Sequence, residues 1–219
     1  MHPDLKIIQN SLEELESLQG NSFLKEAYDE LVEFNAQQRW PLDLANYRNT
    51  SVTLRQATDA DPAWLYLQEA SRDFNIYFQK QDLSVYFRLN QKILGLQAPQ
   101  IRKIILSEHY PFPKPEALQE GFEMIQDFIF RKNYHPFFAR LSFVQNLNSL
   151  HPFSDGNGRT SRFLLEHWLI QMSLPPLHCR AEIDFLTANP TNQIHFTLES
   201  FVISTLLSMK RSIEEKESV

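Results

Sequence analysis

His151-Pro152-Phe153-Ser154-Asp155-Gly156-Asn157-Gly158-Arg159-Thr160-Ser161-Arg162 concentrates more chemistry than any other stretch of this chain. It holds an imidazole, a carboxylate, two glycines and two arginines within twelve residues. The whole sequence has five glycines, so two in one loop point to a backbone that turns sharply or approaches a ligand closely. Before it, from Pro136, the residues Phe138, Leu141, Val144 and Leu147 recur at helical spacing. After it, Thr160 to Met172 is apolar almost all round, the pattern of a buried helix. The stretch therefore predicts a loop, His151 to Gly158, between two helices, the second starting near Arg159 and lying at the centre of the molecule.

The loop's chemistry follows from its residue types. Amides at the start of the second helix point back into the loop, and the helix dipole favours an anion there. Gly156-Asn157-Gly158 lets consecutive amides converge on phosphate oxygens. Arg159 and Arg162, three apart, can share one helix face, and two guanidiniums over such a nest suit a polyphosphate. Asp155 offers a hard oxygen of the kind that holds magnesium shared with phosphates. His151 can take a proton from an attacking hydroxyl near neutral pH. Phe153 is expected to plug into the core and fix the loop's shape, and is counted with the nucleotide-binding residues. Singly, each feature is common in structural turns. At fixed spacing they describe phosphoryl or nucleotidyl transfer.

Outward from the loop, most of the chain reads as helix. Ser11-Leu-Glu-Glu14 has the form of a capping box opening a helix that ends near Gly20. A second helix follows Asn21 through Leu24, Leu31 and Phe34. Asp61-Pro62 and Asp82 each cap a further helix, the latter running through Tyr86 and Leu89 to a stop at Gly95. Ile101 to Leu106 is β-branched and followed by Pro111-Phe-Pro-Lys-Pro115, which predicts an extended strand or hairpin. Pro115 opens a helix through Leu118, Phe122, Ile125 and Ile129, and a last helix runs from Pro190 into the charged tail Arg211 to Glu217.

The bulk properties narrow the classes. A net charge of −6 argues against a nucleic-acid partner, and no apolar stretch is long enough to suggest a membrane partner. One cysteine, Cys179, suits a reducing compartment, so a cytoplasmic protein is expected, with export lacking a cleaved signal as the alternative. His178-Cys179 has no second pair at ligand spacing, and His167 and His195 sit in apolar patterns expected to be structural.

The motif His-Pro-Phe-x-Asp-Gly-Asn-Gly-Arg-x-x-Arg, intact from His151 to Arg162, is the signature of Fic-domain proteins, which this chain resembles. His135-Pro136-Phe-Phe-Ala139 and the helix after it resemble the Fic helix that leads into the active loop. Ile101 to Leu106 resembles the family's flap. The similarity spans roughly residues 80–207. It implies an all-α Fic fold, a helical bundle around a central buried helix pair with a short β-hairpin flap. Residues 1–60 would form an N-terminal helical extension and 61–219 the Fic domain.

Most members transfer AMP from ATP to a Tyr, Thr or Ser hydroxyl of a target protein. The resemblance implies that His151 deprotonates that hydroxyl and that Asp155 holds Mg2+ bridging the α- and β-phosphates. The amides of Gly156 to Gly158, with Asn157, would stabilise charge on the α-phosphate, while Arg159 and Arg162 grip the β- and γ-phosphates. The target protein would dock at the flap, 101–106. The family's inhibitory pattern, Ser/Thr-x-x-x-Glu-Gly/Asn, has no full match: Arg55 replaces the glutamate after Ser51, and Ala27 follows Glu26 after Ser22. The enzyme would then be uninhibited in cis, or restrained by a separate antitoxin-like partner. Alternatives keep the fold with another donor (UMP, phosphocholine or phosphate) or make the chain a non-catalytic nucleotide-binding regulator. Intact His151 and Asp155 weigh against the regulator.

Overall fold

The computed structural model describes residues 3–38, 84–98, 100–103, 112–175, 177 and 197–217. The expected helix from Asp61, the Asp82 cap, Ile104 to Leu106, Ser51 to Arg55, His178-Cys179 and His195 lie outside them. Among the described residues the structure is helical and contains no strand, only one isolated antiparallel bridge, Ile101 to Phe153.

The centre is the helix Pro136–Leu150 (α5 in chain order, after α1 Lys6–Leu18, α2 Ser22–Gln38, α3 Ser84–Leu94 and α4 Leu118–Arg131). Pro136 stands at its first turn, where a missing N–H leaves nothing unsatisfied. Every residue from Leu141 to Leu150 is buried, which needs neighbours on all sides. These are α1, α4, α6 (Asn157–Gln171) and α7 (Leu198–Glu217). The helix ends because His151 adopts a left-handed backbone, φ 49° and ψ 57°.

α6 is the second member of the expected central pair, buried from Thr160 to Leu169, with Trp168 edge-on to Phe143 of α5 at 5.6 Å. It begins at Asn157, two residues earlier than expected. On α4 the sequence stripe Leu118, Phe122, Ile125 and Ile129 is buried throughout. Each such side chain contributes about 1.5–3 kcal/mol by leaving water. Pro115 starts a single 3-10 turn, Pro115–Ala117, and α4 follows it.

Two further helix starts differ from expectation. Ser11 lies inside α1 and caps nothing. Its hydroxyl donates to Gln145 Oε1 (3.2 Å) and accepts from Asn146 Nδ2 (3.2 Å), while Asn146 also donates to the Ser142 carbonyl (2.8 Å). The serine serves a polar seam between α1 and α5. α7 begins at Leu198, not Pro190, because Thr197 Oγ1 accepts the Ser200 amide as an N-cap. By contrast, Asn21 caps α2 through the Leu24 amide, and α3 stops at left-handed Gly95, both as the sequence indicates. No helix among the described residues is long and apolar enough to cross a membrane.

Candidate active site

The loop between α5 and α6 is built from its two ends. At the first end, His151 takes a left-handed backbone while its amide still bonds to the Leu147 carbonyl (3.1 Å). The imidazole stacks on Phe112, with centroids 3.9 Å apart and planes 26° from parallel. Burial pushes its pKa down from 6.5 to about 4; the nearby Arg102 charge adds to this, and a bond to the Asn148 backbone opposes it. His151 is thus neutral at pH 7. A ring nitrogen bonded to a carbonyl carries the proton, so the other carries the lone pair.

Phe153 is fully buried, packed against Tyr86 (5.2 Å) and Phe87 (5.7 Å) of α3. It plugs into the core as its type indicates. Asn157 closes a ring around it: Oδ1 accepts the Phe153 amide (3.0 Å) and Nδ2 donates to the Phe153 carbonyl (2.8 Å). Being 2% exposed, the Asn157 side chain shapes the loop from beneath.

At the second end the glycines divide their work. Of the two, only Gly156 has a positive φ, +80°. A side chain there would meet Asn90 Nδ2 at 2.8 Å. Asn90, wholly buried on α3, donates to the Asp155 carbonyl (3.0 Å) and to Thr160 Oγ1 (3.1 Å), and Thr160 donates to the Gly156 carbonyl (2.8 Å). Gly158 lies within α6, and a Cβ on it would meet the Arg162 guanidinium at 3.2 Å. Its bare backbone therefore admits Arg162, rather than completing a left-handed nest. The first amides of α6 have no intrahelical acceptor and face the loop.

The two arginines, three apart on α6, occupy different environments. Arg162 is 9% exposed and folds over Gly158. Arg159 is exposed and its guanidinium donates to Asp155 Oδ2 (2.8 Å). That bond, first among its causes, holds the Asp155 carboxyl below its usual value, and the Gly156 amide donates to Oδ1 (2.6 Å). Asp155 is ionised and largely exposed. No group of three or more potential metal ligands occurs among the described residues, so Asp155 would act as a single protein ligand.

Ile101 faces Phe153 across the bridge, with the Arg102 amide donating to the Pro152 carbonyl (2.8 Å) and the Ser154 amide to the Gln100 carbonyl (3.1 Å). The described start of the flap is thus tied to the loop; the hairpin itself falls outside the described residues. Sequence reasoning missed three residues here: Asn90, Arg102 and Phe112. Only Asn90 left a signal, standing one turn from Tyr86 on a face that is otherwise apolar. A separate groove of about 590 Å³ opens between α2 and α7, lined by Phe23, Phe34, Ile203 and Leu207. It holds no glycine loop and no histidine, so it is not where this chemistry resides. Glu26, the glutamate after Ser22, lines that groove and not the loop.

Residues 80–169 match the Fic/DOC family. A protein adenylyltransferase Fic from Nematostella vectensis is 35% identical over 102 residues, covering 42% of this chain and 23% of that protein. The chain therefore aligns with about a quarter of that relative's length. Among solved structures, a Fic-domain signalling protein from Bacteroides thetaiotaomicron is similar over 95% of this chain and 94% of its own, with TM-score 0.48 and 17% identity. A Fic family protein from Desulfovibrio desulfuricans covers all of this chain and 75% of its own, with TM-score 0.48 and 17% identity. The matched segment contains α3, the Arg102 tie, α5 and the whole loop. Residues 80–169, which carry the whole loop, are thus similar to the Fic/DOC family.

Proposed function

We propose that this chain is a protein adenylyltransferase that moves AMP from ATP to a hydroxyl side chain of a target protein. The observation that carries the reading is the neutral, half-buried His151, poised at one end of a loop whose other end presents the amides of α6 with Asp155, Arg159 and Arg162. A base that is already unprotonated at neutral pH can accept a proton without first losing one. The target hydroxyl loses its proton to the His151 lone pair as its oxygen bonds to the α-phosphorus. The bond from that phosphorus to the β-phosphate bridging oxygen breaks, and pyrophosphate leaves. The α6 amides face the charge that develops on the phosphate oxygens. Arg159 and Arg162 are the cations for the departing phosphates.

The residues fit Mg2+ carried in by a nucleotide. Asp155 is an exposed, ionised carboxylate, and magnesium takes most of its remaining ligands from phosphate and water. When bound, the ion would neutralise phosphate charge. Asp155 would have to exchange Arg159 for it, which frees the guanidinium for the nucleotide.

The test is mass spectrometry after incubation with ATP and Mg2+, beside a His151→Ala sample, with pyrophosphate release followed in parallel. An adenylyl adduct, or pyrophosphate released with water as acceptor, and absent from His151→Ala, is the expected result. A phosphate adduct, or UMP transfer when UTP replaces ATP, would replace this reading with another donor. Equal turnover by His151→Ala would remove His151 as the base.

A further inference from the structure

We propose that Arg102 is the positioning residue of this site, holding His151 in its left-handed conformation by clamping the backbone carbonyls on both sides of it. The inference rests on the proposed role of His151 as the base.

Arg102 is 2% exposed, unusual for the side chain most costly to desolvate. Its Nε–H donates to the His151 carbonyl (2.9 Å), and a terminal nitrogen donates to the Leu150 carbonyl (3.4 Å) and the Pro113 carbonyl (2.5 Å). Leu150 and His151 carry the last carbonyls of α5, which lose their helical partners when the chain turns left-handed. A cation is also favoured at that end of the helix dipole. The guanidinium thus caps α5 where a non-glycine residue, His151, holds a positive φ.

The clamp reaches the imidazole in two ways. The peptide planes on both sides of the His151 Cα are fixed, so the direction of its Cβ is fixed with them. The bond to Pro113 anchors the residue next to Phe112, which stacks on the ring. The Arg102 amide meanwhile pairs with Pro152. Among the described residues, the groups facing the imidazole are the Phe112 ring, the Arg102 guanidinium and the Asn148 carbonyl. Lysine keeps the charge but lacks the rigid planar fork that spans the three carbonyls from two nitrogens. Charge and geometry are therefore separable by substitution.

The experiment uses the full chain as wild type, Arg102→Met, Arg102→Lys and His151→Ala. The His151 ring proton is followed by NMR against pH, assigned by its loss in His151→Ala, and pyrophosphate release is measured with ATP and Mg2+. In Arg102→Met the titration midpoint should rise from about 4 toward 6.5, and kcat should fall about 10-fold or more with KM for ATP within about 2-fold. In Arg102→Lys the midpoint should stay low while kcat still falls. Wild-type kcat in either variant overturns the proposal. If Arg102→Met does not fold, wild-type kcat in Arg102→Lys still overturns it. A wild-type chain that turns over no ATP, or a fully active His151→Ala, would sink the functional reading instead. The contact between the His151 ring proton and the Phe112 ring, followed by NMR in Arg102→Lys, then judges the clamp by itself: an unchanged contact overturns it.

Discussion

The ring of Phe112 lies 3.9 Å from the imidazole of His151, nearly parallel to it, so one face of the base is sealed from water by a neighbouring side chain. Burial is the first cause of the low pKa of His151, so this ring helps to keep the base neutral. Phe112→Ala should let water reach the imidazole and raise its pKa from about 4 toward 6.5. The acidic limb of the rate–pH profile should move up with it, while the plateau near pH 8 changes less. Superimposable acidic limbs for wild type and variant would show that Phe112 does not shield the ring.

Two histidines link stability to pH in one direction. His151 and His167 each ionise at 6.5 in the unfolded chain and at about 4 when folded, by burial first and then by the charges of Arg102 and Arg140 respectively. Between those values the unfolded chain binds more protons, so the native state loses stability as the pH falls. Their contribution is complete above pH 6.5 and is lost progressively down to about 4. The unfolding temperature should therefore drop between pH 7 and pH 5, and His151→Ala should make that drop shallower. An equal slope in both proteins would exclude His151 from the linkage.

The left-handed backbone of His151 predicts an order among inactive variants. His151→Ala and His151→Gly both lose the imidazole and its stacking, but only glycine adopts φ 49° without strain. The glycine variant should be the more stable by about 1 kcal/mol in urea unfolding, despite its more flexible unfolded chain. If alanine proved the more stable, position 151 would not be strained in solution.

Gly95 and Gly156 share a positive φ and differ in what surrounds them. A Cβ on Gly95 meets nothing within 4 Å, whereas one on Gly156 meets Asn90 Nδ2 at 2.8 Å. Gly95→Ala should lose only the backbone term, about 1 kcal/mol, and keep its activity. Gly156→Ala should lose more, about 2–3 kcal/mol, because Asn90 must give up its bonds to Asp155 and Thr160. Its turnover should fall as the start of α6 shifts. Matched losses in the two variants would contradict the placement of Asn90 beneath the loop.

Legibility in the sequence tracked how local the cause was. The bounds of α5 were readable because Pro136 opens it and the glycine loop closes it, both within the chain's own local chemistry. The stripe on α4 and the Asn21 cap were readable for the same reason. Ser11 misled because Ser-Leu-Glu-Glu satisfies the capping pattern, while the hydroxyl was claimed by Gln145 and Asn146 from far along the chain. The loop's membership was legible residue by residue, yet its division of labour was not. That Gly158 makes room for Arg162, and that Arg159 pairs with Asp155, depends on three-dimensional packing. Asn90, Arg102 and Phe112 reach the loop from other segments, and spacing along a sequence cannot reveal such arrivals.

The polar seam between α1 and α5 also sets an order of events during synthesis. Ser11 and Gln145 are 134 positions apart, so a ribosome adding about 5–20 residues per second completes the second roughly 7–27 s after the first. Throughout that interval Ile8, Leu12 and Leu15 of α1 have been made, but the helix against which they finally pack has not. α1 cannot complete its packing until the centre of the molecule emerges, when Ser11 pairs with Gln145 and Asn146. A nascent chain interrupted before Asn146 would lack the helix that makes the most contact with that apolar stripe, leaving a handle for chaperones that bind unfinished proteins.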